Sequence, residues 1–267
     1  MLVASGIIVF ILGFILWKII SKGLPSLDWD MVSKTPSGGF YLGKEGGILN
    51  AIMGSLMLIT CSVVISIFLS LPVALYINFI LNRKSKASGV IRFAFDIMFG
   101  IPSIVYGAFG FMIMVYLGLQ ASLLGGIIAV SLLIMPIMVR SIDEVAGQVP
   151  RDLLEAPLSL GATRYEMVKI AARQITPGIT TAILLSVGRG IGDAATVMLT
   201  AGFTDSVPTS LLQPAATLPL AIFFQLSSPV EEVQNRAYSA ALILTIIILI
   251  LSFSTRYVSR RISKSKI

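Results

Sequence analysis

The sequence predicts an all-α integral membrane protein with six transmembrane helices. Of its 267 residues, 56% are hydrophobic and only 12% are charged, whereas a soluble domain carries charges on about 25% of its residues. So few charges could not cover the surface of a soluble domain of this size. The basic residues fall in short clusters between long apolar runs, which is typical of the loops of a membrane protein.

The net charge and the residue types narrow the choice of partners and sites. A net charge of +7 would suit nucleic acid, but the clustered basic residues favour loops beside membrane lipid, and we expect no nucleic-acid partner. The chain has no His and one Cys, which excludes a His-based metal site and an internal disulfide. We therefore expect neither a metal nor another cofactor.

Six apolar runs are long enough to cross a bilayer, which takes about 20 helical residues. They are residues 2–20, 48–80, 93–117, 122–139, 179–203 and 237–257. Between the last two runs, residues 204–236 contain four prolines. The apolar middle of this segment, residues 218–226, is too short to span the membrane, so we predict an interfacial or re-entrant helix.

The distribution of Lys and Arg predicts that both termini lie in the cytoplasm. Basic residues are concentrated between the second and third helices, in the loop of residues 140–176, and in the tail of residues 259–267. The positive-inside rule places such segments in the cytoplasm. Residues 204–236 are then external. We divide the chain into an N-terminal region, residues 1–47, which is a transmembrane helix followed by an external segment, and a helical core, residues 48–258. The external segment of the N-terminal region also carries lysines, which the rule disfavours, but the three basic segments together support the proposed orientation.

The loop of residues 140–176 is too long for a simple connection. Pro150 suits the first position of a helix, and Gly161 suits the end of one. Thr163 and Glu166 have the spacing of a capping box, which would begin a second helix. The resulting helix–turn–helix would either dock into a groove on a soluble partner or lie on the lipid headgroups.

The same loop resembles the EAA signature of ABC-importer permeases. The matching run is EAPLSLGAT, residues 155–163, with Pro157 in place of the second alanine of that signature. The matched positions are Glu155, Ala156, Gly161 and Thr163. The resemblance implies a type I importer permease fold in which a coupling helix contacts the ATP-binding subunit. Pro157 lacks an N–H group and would shorten or kink that helix.

Further blocks resemble the phosphate permeases. They are GIPSIVYG at 100–107, GRGIGDAA at 188–195, TLPL at 217–220 and PVEE at 229–232. The last two are similar to the PstA-type permease rather than to its PstC-type partner. The resemblance implies a permease subunit of an ATP-driven phosphate importer, which forms half of a translocation pathway by alternating access. Such a subunit is not an enzyme, because a separate subunit hydrolyses the ATP.

The resemblance also implies the partners of the chain. They are a homologous PstC-like permease subunit, two PstB-like ATP-binding subunits and an extracytoplasmic PstS-like phosphate-binding protein. Alternatives of the same class are the PstC-type subunit and a molybdate, tungstate or sulfate permease. An ion-coupled secondary transporter would usually show internal repeats with corresponding broken helices, and the sequence shows none. A scaffold for a signalling kinase would not require Arg189.

Arg189 and Asp193 are the candidate residues of the substrate pathway. They lie four residues apart in the fifth apolar run, which would place both side chains on one face of a helix. Charges at membrane depth are costly and usually functional. The planar guanidinium suits a tetrahedral oxyanion, so Arg189 would bind or gate the anion, and Asp193 would neutralise it when no anion is present. The alternative is a purely structural ion pair.

Pro102 and Ser103 mark a candidate helix break on this pathway. Proline interrupts the hydrogen-bond ladder of a helix, and a neighbouring serine can satisfy a freed backbone group. The outcome would be either a discontinuous helix or a simple kink. Earlier in the same run, Asp96 follows Arg92 by four residues, and we expect these two side chains to pair near the membrane interface.

Overall fold

The fold was determined from a computed structural model that describes residues 2–37, 45–81 and 85–264. Most of the described residues are helical. The helices are α1 (Leu2–Gly23), α2 (Trp29–Ser33), α3 (Leu49–Leu75), a π-helix (Tyr76–Ile80), α4 (Lys86–Gly100), α5 (Ser103–Tyr116), α6 (Leu123–Gly147), α7 (Asp152–Ser159), α8 (Arg164–Gln174), α9 (Thr176–Ile191), α10 (Ala195–Thr200), α11 (Leu218–Leu226) and α12 (Glu231–Lys264). Two short strands, β1 (Pro36–Ser37) and β2 (Glu45–Gly46), pair antiparallel.

Within these residues, four helices are long and apolar enough to cross a membrane by themselves: α1, α3 with the π-helix, α6 and α12. Two further pairs of helices are long and apolar enough only when they are taken together: α4 with α5, bent by 98°, and α8 with α9, bent by 65°. The predicted all-α membrane fold is confirmed. The count of six spans is reached when each bent pair is taken as one span.

The structure divides two of the runs that were predicted as single helices. The run at 93–117 is broken because the residue before a proline avoids the helical conformation, and Ile101 is extended with ψ of 129°. The run at 179–203 leaves the helix at Ile191 and resumes as α10. The last helix begins at Glu231 rather than at residue 237, since its first two turns are polar and do not register as an apolar run.

Helix α6 is the centre of the bundle. It packs against α3, α9, α5 and α4, and Ile134 and Met138 are fully buried at its middle. A ladder of serines joins it to α3, because a hydroxyl on every fourth residue of α3 donates to a carbonyl oxygen of α6. The three bonds run from Ser62 to Ile127 at 3.1 Å, from Ser66 to Ser131 at 3.0 Å, and from Ser70 to Met135 at 3.3 Å. Interhelical bonds of this kind hold membrane helices in register.

Helix α11 has the bounds that were predicted for a short helix at residues 218–226. It is buried against α3 and α12 in a second hydrophobic cluster that includes Leu218 and Ala221. The N–H of Leu218 donates to the Ser55 hydroxyl of α3 at 2.8 Å. Helix α11 is thus an integral part of the helical bundle, and its interfacial or re-entrant placement in the membrane stays a prediction.

Candidate functional site

The pair of Arg189 and Asp193 lies where α9 ends. Gly192 is the C-cap of α9, so Asp193 lies outside the helix rather than on the same helical face as Arg189. The two side chains nevertheless meet, with 3.1 Å between Nη1 of Arg189 and Oδ1 of Asp193. The Asp193 side chain is 3% exposed and the Arg189 side chain is 45% exposed. The accessible part of the pair is therefore the cation.

The second carboxylate oxygen of Asp193 stabilises the start of α10. Oδ2 accepts the backbone N–H of Thr196 at 2.8 Å, in the first turn of that helix. A carboxylate is favourable there because the first N–H groups of a helix have no partners within it. Asp193 thus neutralises Arg189 with one oxygen and caps α10 with the other.

Thr196 connects the charged pair to the break at Pro102. Its hydroxyl donates to the carbonyl oxygen of Ser103 at 3.0 Å, and the residue is fully buried. Gly107 lets the helices approach here, since a Cβ at that position would lie 3.0 Å from both the Cα and the carbonyl oxygen of Thr196. The structure therefore joins the pair of Arg189 and Asp193 to Ser103, which the sequence placed in a separate segment.

The guanidinium of Arg189 retains unused donors. Its bond to Asp193 is the only one that it forms within the part of the chain that the structure describes, which leaves about four of the five N–H donors of an arginine. A half-exposed guanidinium with free donors can bind a tetrahedral oxyanion in a bidentate manner. The geometry suits anion binding without loss of the contact to Asp193.

The space beside Asp193 is closed in this conformation. A cavity of about 10 Å³ is lined by Asp193, Ser55 and Thr217, among others. That volume is about the minimum for one water molecule and is too small for an oxyanion. The hydroxyl of Thr217 is buried and has no hydrogen-bond partner within the described residues. No group of three or more His, Cys, Asp or Glu side chains in those residues could hold a metal ion.

A second charged cluster, which the sequence pattern did not predict, lies near the end of α6. Asp143 is buried there. Nε of Arg92 donates to Oδ2 of Asp143 at 3.0 Å, and Nη2 donates to Oδ1 at 3.0 Å. Asn78 of the π-helix donates to Oδ1 of the same carboxylate at 2.6 Å.

The expected pairing of Arg92 with Asp96 is wrong. Asp96 instead pairs with Arg140 of α6, with 3.4 Å between Oδ1 and Nη1. Arg92 and Asp96 of α4 both face α6, and each finds a partner of opposite sign across the helix interface rather than along its own helix. A signal was available in the sequence, because Arg140 and Asp143 have the three-residue spacing of one helical face.

The loop between α6 and α9 contains two helices, and the capping box at the start of α8 is confirmed. The Thr163 hydroxyl accepts the N–H of Glu166 at 3.3 Å, and the N–H of Thr163 donates to Oε2 of Glu166 at 2.7 Å. These bonds from the Thr163 backbone and side chain lower the pKa of the Glu166 carboxyl, because they stabilise its charged form. Glu155, Ala156, Gly161 and Thr163 are all exposed.

Gly161 ends α7 in a Schellman motif. Its φ is +86°, and its N–H donates to the carbonyl of Leu158 at 3.0 Å while that of Ala162 donates to the carbonyl of Pro157 at 3.0 Å. Pro157 neither ends nor precedes the helix, which continues to Ser159. Pro150 lies two residues before α7 rather than at its first position.

The two loop helices expose apolar side chains on one side and bury them on the other. Leu160 is 89% exposed and Tyr165 is 77% exposed. Met167 and Ala171, on the opposite face of α8, are buried in the main hydrophobic cluster. The loop is thus anchored in the helical bundle and presents an apolar surface outward.

Comparison with known proteins identifies the family to which the chain is similar. Residues 66–264 match the family described as "Binding-protein-dependent transport system inner membrane component". The chain is 35% identical over 240 residues to the phosphate transport system permease protein PstA of Xylella fastidiosa strain Temecula1, covering 89% of this chain and 82% of the relative. It is 32% identical over 249 residues to PstA of Pasteurella multocida (92% and 87%), and 33% identical over 250 residues to PstA of Yersinia pestis (93% and 84%).

Solved structures show the same fold. A chain of the MetNI methionine ABC transporter, in an inward-facing conformation, superimposes with a TM-score of 0.67 at 17% sequence identity. The match covers 80% of this chain and 95% of that chain. The similarity concerns the fold alone, because the sequences have diverged.

The bond between Thr196 and Ser103 can be tested by substitution. Thr196→Val removes the hydroxyl but keeps the side-chain shape and the N–H that Asp193 accepts. We expect the free energy of unfolding to fall by about 0.5–1.5 kcal/mol, because the hydrogen bond between α10 and α5 is lost. Thermal unfolding of the purified protein in detergent would measure the change. Thr181→Val is the matched control, since that exposed hydroxyl bonds only within α9, and equal effects of the two substitutions would contradict the assignment.

Proposed function

The chain belongs to the family of binding-protein-dependent transport system inner membrane components, and we propose that it is the PstA-type permease subunit of an ATP-driven phosphate importer. Relatives named as PstA phosphate permeases match about nine tenths of its length. This similarity favours the PstA type over the PstC type and over permeases for other oxyanions. The predicted importer permease fold is confirmed by the similarity to the methionine transporter.

Membership of the family defines the general role of the chain. It is a multi-pass membrane protein and a transport component rather than an enzyme, and it works with an ATP-binding subunit and a solute-binding protein. We further propose the composition of the complex. A PstC-like permease supplies the other half of the pathway, two PstB-like subunits hydrolyse ATP, and a PstS-like protein delivers phosphate.

The contact that best supports a pathway role is the half-exposed Arg189 beside the buried Asp193. In this proposal phosphate binds the free donors of Arg189, while Asp193 keeps the guanidinium neutralised before the anion arrives. Irregular backbone within membrane spans is tolerated where it is buried in protein or lines a cavity, and the breaks of two spans meet at this pair. An anion that weakens the hold of Arg189 on Asp193 acts directly on the cap of α10.

The α7–α8 loop supports a coupling role. Its exposed apolar residues, Leu160 and Tyr165, suit a groove on the ATP-binding subunit. Because Met167 and Ala171 of α8 are packed into the same cluster as Ile142 of α6, a displacement of the loop would be transmitted to the centre of the bundle. The resemblance of residues 155–163 to the EAA signature supports the same assignment.

The pathway role of the charged pair is tested by removing both charges. Arg189→Ala/Asp193→Asn keeps the cap on α10, because asparagine caps helices as well as aspartate does. We expect the complex to assemble normally and phosphate uptake to fall roughly 10- to 100-fold, the loss of one charged contact to the anion. ATP-driven uptake of radiolabelled phosphate into proteoliposomes would measure this.

The controls for this test separate anion binding from folding. Arg189→Lys keeps the charge but loses the planar fork, and should retain part of the activity. Arg189→Ala alone should reduce the amount of assembled complex, because a buried, unpaired carboxylate costs about 3–5 kcal/mol. Near-normal uptake by the doubly neutral variant would return the pair to a purely structural role.

The orientation of the chain is proposed from its charge distribution, with both termini and the α7–α8 loop in the cytoplasm. Single cysteines at Tyr165, Leu212 and Lys266, in a Cys61→Ala background, provide a test. An impermeant thiol reagent applied to intact cells should label only position 212. Labelling at position 165 or 266 would reverse the proposed orientation.

The coupling role predicts a specific effect of Gly161→Arg. A bulky cation at the exposed turn would block contact with the ATP-binding subunit, and the positive φ would be strained by any ordinary side chain. We expect normal membrane insertion, loss of the ATP-binding subunit on copurification, and no ATP-driven uptake. Gly161→Asn is the control, because asparagine tolerates the left-handed conformation and is small. Normal copurification and uptake with Gly161→Arg would exclude docking at this turn.

A further inference from the structure

Helix α4 is attached to the protein by charges rather than by apolar packing. Ser88 is the only buried residue of α4, and no side chain of this helix, all of which the structure describes, belongs to either hydrophobic cluster. Four of its large apolar side chains are exposed: Val90, Phe93, Ile97 and Phe99. Its main neighbour is α6. A helix that carries the first half of a broken span is therefore held by a few polar contacts.

Those contacts form two crossed ion pairs, which we call the α4–α6 clasp. The inner pair is Arg92 with Asp143, and the outer pair is Asp96 with Arg140. On each helix the two charges have opposite signs and lie one turn apart. A slip of one turn in one direction would place Arg92 against Arg140, and a slip in the other direction would place Asp96 against Asp143. Because like charges repel, the clasp specifies a single register of α4 on α6.

The inner pair carries most of this specification. The Arg92 side chain is 23% exposed and the Asp143 side chain is 10% exposed, against 52% and 49% for Arg140 and Asp96. Nη1 of Arg92 also donates to the Ser88 hydroxyl at 2.7 Å, so the guanidinium is bonded on several sides. Exposed ion pairs contribute little, whereas breaking a buried, fully bonded pair is strongly unfavourable.

The clasp lies between the α7–α8 loop and the pair of Arg189 and Asp193. Asn78, which bonds Asp143, belongs to the π-helix that packs against α8, and the neighbouring Phe79 lies in the same cluster as Met167 of α8. On the other side, α4 is joined to Ser103 by two residues, and the Ser103 carbonyl accepts the hydroxyl of Thr196. The inner pair thus lies on a second route from α8 to Asp193, in addition to the direct covalent one through α9.

We propose that Arg92 and Asp143 are positioning residues for transport. They hold α4 in one register on α6, and thereby hold Ser103 against Thr196 beside the charged pair. Asn78 of the π-helix bonds the same carboxylate, and the π-helix packs against α8. The α7–α8 loop and the broken helix therefore move together. Neither residue contacts the transported anion in this role. This inference rests on the proposed function, phosphate transport, only where uptake is measured.

Charge reversal on one helix or on both tests the clasp with matched variants. Arg92→Asp/Asp96→Arg reverses α4, Arg140→Asp/Asp143→Arg reverses α6, and the fourfold variant restores complementary signs. The side-chain amide of Asn78 can rotate to present its oxygen or its NH₂ group, so it can bond either an arginine or an aspartate at position 143. Each single-helix reversal should displace α4, whereas the fourfold reversal should return it to its register. A failure of the fourfold variant to do better than either half would overturn the register argument.

The position of α4 is measured directly by the distance between two spin labels. Gly89→Cys on α4 has open space around it, and Glu144→Cys on α6 is exposed. In the Cys61→Ala background, with the complex in lipid nanodiscs, we expect one narrow distance distribution. Both half-reversals and Arg92→Ala should broaden or shift it, and the fourfold reversal should narrow it again. Ser62→Ala, which removes a buried bond between α3 and α6, should leave it unchanged.

Uptake and ATP hydrolysis by the same complexes test the positioning role. Arg92→Ala should lower phosphate uptake roughly tenfold while ATP hydrolysis continues, so that more ATP is consumed per phosphate imported. Arg92→Lys, which keeps the charge without the fork, gives a milder variant if Arg92→Ala does not assemble, and its uptake should be intermediate.

The outcomes separate the clasp from the proposed substrate. An unchanged label distance in Arg92→Ala would overturn the clasp whatever the complex transports. Broadened distances with normal coupled uptake would overturn the positioning role. If the distances respond as expected but the unaltered complex imports no phosphate, the clasp stands and the proposed function fails.

Discussion

A helix that breaks inside a membrane must find partners within the protein for the backbone groups that it frees, because the lipid offers none. The rest of this structure depends on that constraint. The break after Gly100 is tolerated because the Tyr106 hydroxyl donates to the carbonyl oxygen of Met98, in the last turn of α4, at 2.7 Å. The break after Ile191 is tolerated because Asp193 accepts an N–H group in the first turn of α10. The two breaks lie side by side, and the hydroxyl of Thr196 joins them by donating to the carbonyl oxygen of Ser103.

The same constraint explains why charged residues lie at these positions. Asp193 is required as a cap, but a buried carboxylate is unfavourable without a counter-charge, and Arg189 supplies it. The guanidinium has more donors than one carboxylate oxygen uses, and it reaches the accessible side of the pair. Asp193 is thus needed to bond a backbone N–H group, and Arg189 is needed to neutralise Asp193. The result is a cation with free hydrogen-bond donors at the point where two apolar runs are interrupted.

Helix α6 shows three different ways of holding a neighbour. It holds α3 by a ladder of serine hydroxyls and close packing, α9 by apolar side chains, and α4 by ion pairs. Serine bonds and packing act at short range and leave little freedom, whereas ion pairs between long side chains tolerate small displacements while keeping the register. Helix α4 is thus the neighbour of α6 whose position depends most on charged side chains, whereas α5 is packed against α6 and α10.

The sequence by itself determined the features that depend on neighbouring residues along the chain. The apolar runs, the capping box of Thr163 and Glu166, the turn at Gly161 and the bounds of α11 follow from composition and short spacing. Pro102 marked a break, although the 98° bend exceeds what one proline requires.

Only the tertiary structure decided which distant groups meet. Spacing along one helix favoured a bond between Arg92 and Asp96, but those charges face another helix, where Asp143 and Arg140 offer better-placed partners. Nothing in the chain near Thr196 indicates that its hydroxyl binds Ser103. An ion pair or an interhelical hydrogen bond depends on which helices are neighbours and in what register, and that is set by the packing of the whole bundle rather than by any local pattern.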